Sequence, residues 1–204
     1  MAPTTGTAAP AAPDLGQRLA ADLDEAYPVL VRAHAGAVYS AALRLSGSAA
    51  DAEDIAQETF VRAYRALRRY DGPRRRALRV RPWLLTITVN QWRNARRDAA
   101  RRPVEAAGPG GRSAHGAAPR PDPPAPAPGP EDRAVSAETG RVLAALLLEV
   151  PAHHRLPVVL HHVVGMTYPE VAAALGCPVG TAKANAARGM ERLRALAATT
   201  EEEP

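Results

Sequence analysis

The polar side chains in residues 51–67 gather on a different surface of a predicted helix from its apolar side chains. The segment reads DAEDIAQETFVRAYRAL, and its acidic and amide side chains gather in the N-terminal half: Asp51, Asp54, Gln57 and Glu58. Its large apolar side chains recur at helical spacing and predict a buried stripe: Ile55, Phe60, Val61, Tyr64 and Leu67. Acidic residues near a helix start suit the helix dipole, so one interpretation of the polar residues is a solvated, well-capped helix surface.

Arginine supplies nearly all of the positive charge, which predicts an anionic partner. The 204 residues carry a formal net charge of +5, and the pI is near 10.0. Lys183 is the only lysine among 26 basic residues, so the other 25 are arginine. The guanidinium fork binds phosphate and guanine edges and stacks on bases better than an ammonium group does. We therefore expect nucleic acid or an acidic protein as the partner.

Near its C-terminus the chain has the pattern of a helix-turn-helix. Thr167 and Glu170 have the form of a capping box, and Gly176 suits the left-handed end of a short helix. After the turn, Thr181 can cap a second helix that continues to about Leu196. The side chains expected to reach bases or phosphates are Thr181, Lys183, Ala184, Asn185, Arg188 and Arg192. The alternative is that the arginines only solvate a helix face.

The histidines and the single cysteine do not have the spacing of a catalytic or metal site. Two pairs, His153-His154 and His161-His162, are about two helical turns apart. A helical zinc site usually draws on i, i+4 pairs or on cysteine, and the position one turn after His153 is Pro157. No carboxylate partner, nucleophile–base spacing or Gly-rich phosphate loop supports a metal-dependent enzyme, so we expect no metal, no cofactor and no small-molecule substrate. Cys177 cannot form an intramolecular disulfide, which favours a cytoplasmic protein.

These motifs predict an all-α fold of two small helical domains. The predicted segments are a disordered tail, a first domain, a flexible linker rich in Pro, Gly and Ala, a second domain with the helix-turn-helix, and an acidic tail: 1–14, 15–102, 103–133, 134–198 and 199–204. The first domain is predicted to contain three helices and a basic loop: Tyr27–Leu45, Asp51–Leu67, about Trp83–Ala100, and Arg74–Arg81. No apolar run is long enough to span a bilayer, and the N-terminus lacks the pattern of a secretory signal.

The order of these motifs resembles the extracytoplasmic-function (ECF) group of bacterial sigma factors. The string D-A-E-D-x-x-Q-E-x-F, a helix with Trp83 and Leu84, a linker and YPEVAAALGCPVGT occur in the family's order. The resemblance implies that Tyr27–Arg102 is sigma region two and that Leu143–Leu196 is region four. It implies that the chain recognises and melts promoter DNA without catalysing a reaction. It also implies three partners, which are core RNA polymerase, promoter DNA and an anti-sigma factor.

The family's roles map onto matching positions of this chain. The polymerase-binding residues implied are Asp51, Asp54, Gln57, Glu58 and Phe60. The residues implied for the minus-ten element are Arg76, Arg79, Trp83, Asn90, Gln91, Arg93, Arg96 and Arg97. Among them Asn90 is expected to read a base, and Trp83 is more readily explained as a core residue than as a stacking platform. The residues implied for the minus-thirty-five element are Thr181, Lys183, Asn185, Arg188 and Arg192.

A free-standing helix-turn-helix regulator is the main alternative function. Such a protein would bind DNA without polymerase, and it would leave the acidic side of residues 51–58 unexplained. Two departures from the family pattern bear on promoter sequence and not on class. Ala186 and Ala187 leave few long side chains for bases, and the loop before Trp83 is unusually rich in arginine. A third departure is Pro157, which is expected to kink or delay a helix.

Overall fold

The computed structural model describes residues 14–101 and 142–201, and every regular element in these ranges is helical. The all-α prediction is therefore confirmed. The first domain contains α1 Leu15–Ala21, α2 Leu23–Ser46, α3 Ala49–Arg69, α4 Gly72–Arg76 and α5 Val80–Arg101. The second contains α6 (residues 142–148), α7 Ala152–Val158 with a π-helical turn Val159–Val163, α8 Tyr168–Leu175 and α9 Val179–Glu201. The predicted N-terminal tail up to residue 13, the linker 103–133 and residues 202–204 lie outside the described residues.

Local capping places the first helices a few residues earlier than the apolar pattern predicts. The Asp22 side chain accepts hydrogen bonds from the amides of Asp24 and Glu25, so α2 begins at Leu23 and not at Tyr27. Gly47, at φ 74°, ends α2 in the left-handed conformation that glycine adopts without strain. The Ser48 hydroxyl accepts from the Asp51 amide, so α3 begins at Ala49. None of the helices in the described ranges has the length and apolar character needed to cross a membrane.

The predicted basic loop at residues 74–81 is wrong in its first part. The Asp71 carboxylate accepts from the Arg74 amide and caps the short helix α4. Only residues 77–79 separate α4 from α5, which begins at Val80. Pro82 lies within the first turn of α5, where a missing amide hydrogen leaves no helical bond unmade. The arginines of this segment are therefore held on two helix ends and a tight connection.

The buried side of α3 shares Ile55 and Leu67 with the predicted stripe and differs from it most at Val61. The buried residues of this helix are Ala52, Ile55, Thr59, Ala63 and Leu67. Val61 is 42% exposed, and at 100° per residue it lies about 20° around the helix from Asp54. Phe60 and Tyr64 are only partly buried at the edge of the first-domain core. The Tyr27 hydroxyl donates to the Phe60 carbonyl at 2.5 Å, and burial raises the pKa of Tyr27 to about 12.

The second domain shows the predicted helix-turn-helix, with small shifts at its ends. The capping box of Thr167 and Glu170 is present, and Gly176 ends α8 at φ 68°. The following helix α9 begins at Val179, so Thr181 lies in its first turn and is not its cap. It continues to Glu201, beyond the predicted end near Leu196. Pro157 lies inside α7, which passes through it and widens into the π-helical turn.

One hydrophobic core joins the two domains. A first-domain core holds Leu30, Leu67 and Leu84. A larger shared core brings first-domain side chains such as Leu45 and Trp92 together with second-domain side chains. The second-domain members of this shared core include Leu147, Leu156, Val159, Leu160, Val171 and Leu193. Because the apolar side chains of both domains pack on each other, the structure shows the two domains closed together.

Two helical glycines are expected to respond oppositely to alanine because their surroundings differ. A Cβ at Gly189 in α9 would lie 2.5 Å from Val158 Cγ2 and 2.9 Å from the His154 carbonyl oxygen. We expect Gly189→Ala to lower the free energy of unfolding by about 1–3 kcal/mol through overpacking. A Cβ at Gly36 in α2 would meet nothing within 4 Å, so Gly36→Ala should raise stability by about 0.5–1 kcal/mol. Urea unfolding followed by circular dichroism measures both; equal stabilisation by the two variants would contradict the close α7–α9 packing.

Candidate protein-binding and nucleic-acid-binding surfaces

One side of α3 presents acidic and amide groups around an exposed valine. Asp51, Asp54 and Gln57 are exposed, and Glu58 is partly exposed with its carboxylate 2.5 Å from Arg62 Nε. We use the name docking face for five residues: Asp51, Asp54, Gln57, Glu58 and Val61. All of them lie within about 60° of Asp54 around the helix. Val61 was missed as a surface residue because its apolar side chain was assigned to the stripe. Its spacing of two helical turns from Asp54 is the feature of the sequence that could have placed Val61 on this face.

Phe60 does not lie on the docking face. Its side chain is about 120° around α3 from Asp54 and packs at the edge of the first-domain core. The predicted direct role of Phe60 in protein binding therefore does not fit the structure. Its position instead links the docking helix to α2, since its carbonyl accepts the Tyr27 hydroxyl.

A groove of about 450 Å³ separates the acidic side of α3 from α5. Asp54, Glu58 and Arg62 line it on the α3 side. Gln91, Asn94 and Arg97 are among the residues that line it on the α5 side. Gln91 is only 8% exposed, so it faces this groove and not the outer surface that carries Asn90. The prediction that Gln91 contacts DNA beside Asn90 is therefore corrected.

The other predicted minus-ten residues of α5 line a second groove, and Arg97 lines both grooves. Asn90, Arg93, Arg96 and Arg97 line a second groove of about 770 Å³. This groove runs between α5 and α7, and its far wall includes Ala152, His153 and Leu156. The structure thus brings four predicted DNA-contacting side chains together, and it places them facing the second domain.

Both tryptophans of α5 pack against core side chains. Trp83 is partly buried against the first-domain core, with its ring centroid 6.1 Å from that of Tyr70. Trp92 is 6% exposed, and the guanidinium groups of Arg96 and Arg155 lie 5.6 and 5.8 Å from its ring centroid. Such cation–π contacts with a buried ring favour a packing role for Trp92 in this conformation. The resemblance includes Trp83 among the minus-ten residues. The structure places its side chain at the edge of the first-domain core, which was the other interpretation of this residue.

The arginines before α5 have different roles. Arg75 donates to the carbonyls of Leu67 at 2.9 Å and Leu19 at 3.4 Å, so it ties α3 to α1. Arg76 is exposed, as predicted for a residue that contacts phosphate. Arg79 instead forms an ion pair with second-domain Glu170 at 2.6 Å. The sequence pattern predicted that these arginines form one basic track. In the structure Arg75 holds two first-domain helices together, Arg76 is exposed to solvent and Arg79 contacts the second domain.

The recognition helix α9 divides its predicted DNA-contacting residues between two sides. Thr181, Arg188 and Arg192 are exposed and fall within about 40° of one another around the helix, with half-buried Asn185 at their edge. Lys183 is exposed about 140° away from Arg188, and its Nζ lies 5.7 Å from the Tyr168 ring centroid.

The buried side of α9 carries three small residues and one leucine. This side consists of Ala182, Ala186, Gly189 and Leu193. Ala186 is therefore a packing residue and not a short side chain facing DNA, which corrects the interpretation that it limits base contacts.

Of the four second-domain histidines, His154 and His161 are partly buried, whereas His153 and His162 are exposed. The His161 ring stacks on Tyr168 with centroids 3.9 Å apart, and its Nδ1 lies 2.7 Å from the Met166 carbonyl oxygen. Burial and the neighbouring charges of His153 and Arg188 lower the pKa of His154 below its ordinary value. Burial, with His161 and Arg194, does the same for His162. Within residues 14–101 and 142–201, no group of three or more His, Cys, Asp or Glu side chains has the arrangement of a metal site.

Comparison with known families finds matches in both domains. The family model for Sigma-70 region 2 matches residues 30–102, and the model for Sigma-70 region 4 matches residues 140–193. The ECF RNA polymerase sigma factor SigE of Mycolicibacterium smegmatis is 35% identical over 165 residues, which is 81% of this chain and 59% of that protein. The chain thus spans less than two thirds of this relative's length. The ECF sigma factor SigW of Bacillus subtilis is 29% identical over 170 residues, covering 83% of this chain and 88% of that protein.

Solved structures show the same arrangement of helices. CnrH in complex with the cytosolic domain of CnrY has a TM-score of 0.63 at 25% identity, covering 91% of this chain and 96% of CnrH. The sigma factor RpoE of Bartonella quintana in complex with the anti-sigma factor NepR has a TM-score of 0.59 at 21% identity. That match covers 90% of this chain and 99% of RpoE, and it supports the fold alone.

Proposed function

Because the chain belongs to the ECF group of sigma factors, we propose that it directs core RNA polymerase to a set of promoters and helps to open them. It acts as a binding subunit without a reaction of its own, inside the cell where polymerase and DNA meet. The observation that carries the proposal is the presence in one chain of an acidic docking face on region two and a capped helix-turn-helix on region four. A free-standing regulator needs only the second of these.

The docking face of α3 is the proposed polymerase-binding surface. Its charged and amide groups surround Val61, so a partner with basic side chains around an apolar patch fits it. Interfaces of this kind combine a desolvated centre with charged groups that set orientation. Phe60 supports the surface from behind, because it holds α3 against α2.

The proposed DNA contacts are divided between the two domains. Asn90, Arg93, Arg96 and Arg97 on α5, together with Arg76, contact the minus-ten element, where a basic track must follow phosphates while a base is read. Thr181, Asn185, Arg188 and Arg192 on α9 contact the minus-thirty-five element in the major groove. Lys183 lies on another side of α9 and suits a phosphate contact at the groove edge.

A protein inhibitor is the third proposed partner. CnrH is solved with the cytosolic domain of CnrY, and the Bartonella quintana RpoE is solved with the anti-sigma factor NepR. We propose that this chain also has an anti-sigma partner, which would compete with polymerase or DNA for the surfaces described above.

A gel-shift comparison separates the sigma factor from the free-standing regulator. We expect the chain alone to bind promoter DNA weakly, and core polymerase with the chain to form a specific, heparin-resistant complex on DNA selected from a random library. Core polymerase without the chain is the control. If the chain alone selects the same sequences with the same affinity, the free-standing regulator is the better explanation.

A further inference from the structure

A buried amide lies at the floor of the groove between α3 and α5. Gln91 is 8% exposed, and its side chain lines this groove of about 450 Å³. Its amide offers both donors and an acceptor, yet it has no hydrogen-bond partner among the residues that the structure describes. Because buried polar groups are nearly always paired in folded proteins, an unpaired amide here indicates a group that enters the groove from another molecule.

A small side chain keeps the groove open above Gln91. Ala95 lies one helical turn further along α5, and Asp98 lies two turns further on nearly the same side of the helix. Asp54 and Glu58 form the opposite wall on α3, one turn apart. Because Ala95 carries only a methyl group, the two walls leave space for a side chain of a partner.

Two of the three arginines that line the groove are already bonded within it. Arg62 pairs with Glu58 at 2.5 Å, and Arg97 donates to the side-chain oxygen of Asn94. The third is Arg101, the last residue of α5. Most of the positive charge of the groove is therefore used by its own side chains.

The acceptors of the groove, in contrast, are largely unused. The carboxylates of Asp54 and Asp98 have no hydrogen-bond or ion-pair partner within the described ranges, and the same is true of the Gln91 oxygen. An arginine side chain has several donor hydrogens in a fixed plane and no acceptor, so it fits such a set of oxygens better than an acidic or amide side chain does.

We propose that the groove receives an arginine side chain of core RNA polymerase, and that Gln91 recognises its guanidinium group. The inference rests on the proposed function and extends the docking face, because Asp54 and Glu58 belong to both surfaces. A partner seated on the docking face therefore meets the groove without a gap. The exposed carboxylates attract the cation, and the buried amide oxygen selects its geometry through a hydrogen bond to a charged group.

Two variants of the full chain test the groove by fluorescence anisotropy with purified core polymerase. Gln91→Met keeps the length of the side chain and removes its hydrogen-bonding groups, so helical circular dichroism and the thermal midpoint should not fall. We expect it to weaken binding at least about ten-fold, through the loss of a hydrogen bond to a charged group. Ala95→Leu fills the space above Gln91, and we expect a loss of at least the same size.

A third variant tests the sign of the partner's charge. Gln91→Glu keeps an acceptor at the same place and adds a negative charge, so the folded variant should bind core polymerase at least as tightly as the wild type. Ala195→Leu is the control for added apolar surface, because Ala195 is exposed on α9 and does not line the groove. This control should bind as the wild type does.

The outcomes separate this inference from the proposed function. Wild-type affinity in Gln91→Met and Ala95→Leu, while Asp54→Arg with Glu58→Arg still abolishes binding, would overturn the groove and leave the proposed function standing. Weaker binding by Gln91→Glu than by Gln91→Met would overturn the arginine. If Gln91→Met does not fold, Ala95→Leu decides, because Ala95 is exposed. A wild-type chain that never binds core polymerase would instead overturn the proposed function.

Discussion

Reversing the charges of Asp54 and Glu58 together is expected to abolish binding to core RNA polymerase. Both side chains lie on the docking face, and neither is part of the hydrophobic core. Removing a hydrogen-bonded charge at an interface costs roughly 2–5 kcal/mol, and reversal adds repulsion from the partner's basic groups. We expect Asp54→Arg with Glu58→Arg to weaken binding at least about 100-fold, measured by fluorescence anisotropy with purified core polymerase.

Glu53→Arg is the matched control for this prediction. Glu53 is exposed on the same helix and has the same chemistry as Glu58, but it points about 100° away from Asp54. It should keep most of the affinity for core polymerase. Should the double variant bind core polymerase as the wild type does, the docking face has been assigned to the wrong side of α3.

Replacing Arg188 with alanine should impair only promoters that depend on the upstream element. Arg188 is exposed on the side of α9 that also carries Thr181 and Arg192. A good bidentate base contact is worth roughly 1–3 kcal/mol, so initiation at such promoters should fall by about 5- to 150-fold. Binding to core polymerase should not change, because the proposed polymerase-binding surface lies on region two.

Arg194→Ala provides the comparison for the recognition helix. Arg194 is also exposed on α9 but lies about 120° around it from Arg188, beside His162. We expect it to retain the sequence preference and to change only the salt dependence of DNA binding. Equal losses from Arg188→Ala and Arg194→Ala at every promoter would show that α9 contacts DNA through charge alone.

Signals that act within a few residues were the ones that sequence patterns predicted well. The capping box at Thr167 and the glycine at 176 both appear where expected, because each acts through its own backbone neighbours. The short helix α4 was missed, because Gly72-Pro73 is typical of a turn and the Asp71 cap is a weaker signal. Val61 was misassigned, because a valine at stripe-like spacing is more often buried than exposed.

Contacts between distant residues could not be predicted from local patterns. Nothing in the spacing of Arg79 and Glu170 or of Arg155 and Leu45 indicates that they meet, since these pairs depend on how two complete domains pack. The same is true of Gln91, which is polar and next to Asn90 yet faces the α3–α5 groove. Residue type predicted which side chains can bind DNA, whereas the fold decides which of them reach a surface together.

Transcription in vitro tests the central claim most directly. Core polymerase is combined with a library of random promoter sequences, with and without the wild-type chain, and the transcripts are sequenced. We predict that the chain stimulates initiation at a small set of sites that share two elements at a fixed spacing, and that Asp54→Arg with Glu58→Arg abolishes this stimulation. Transcripts that are unchanged by the wild-type chain, although it binds core polymerase, would contradict the claim.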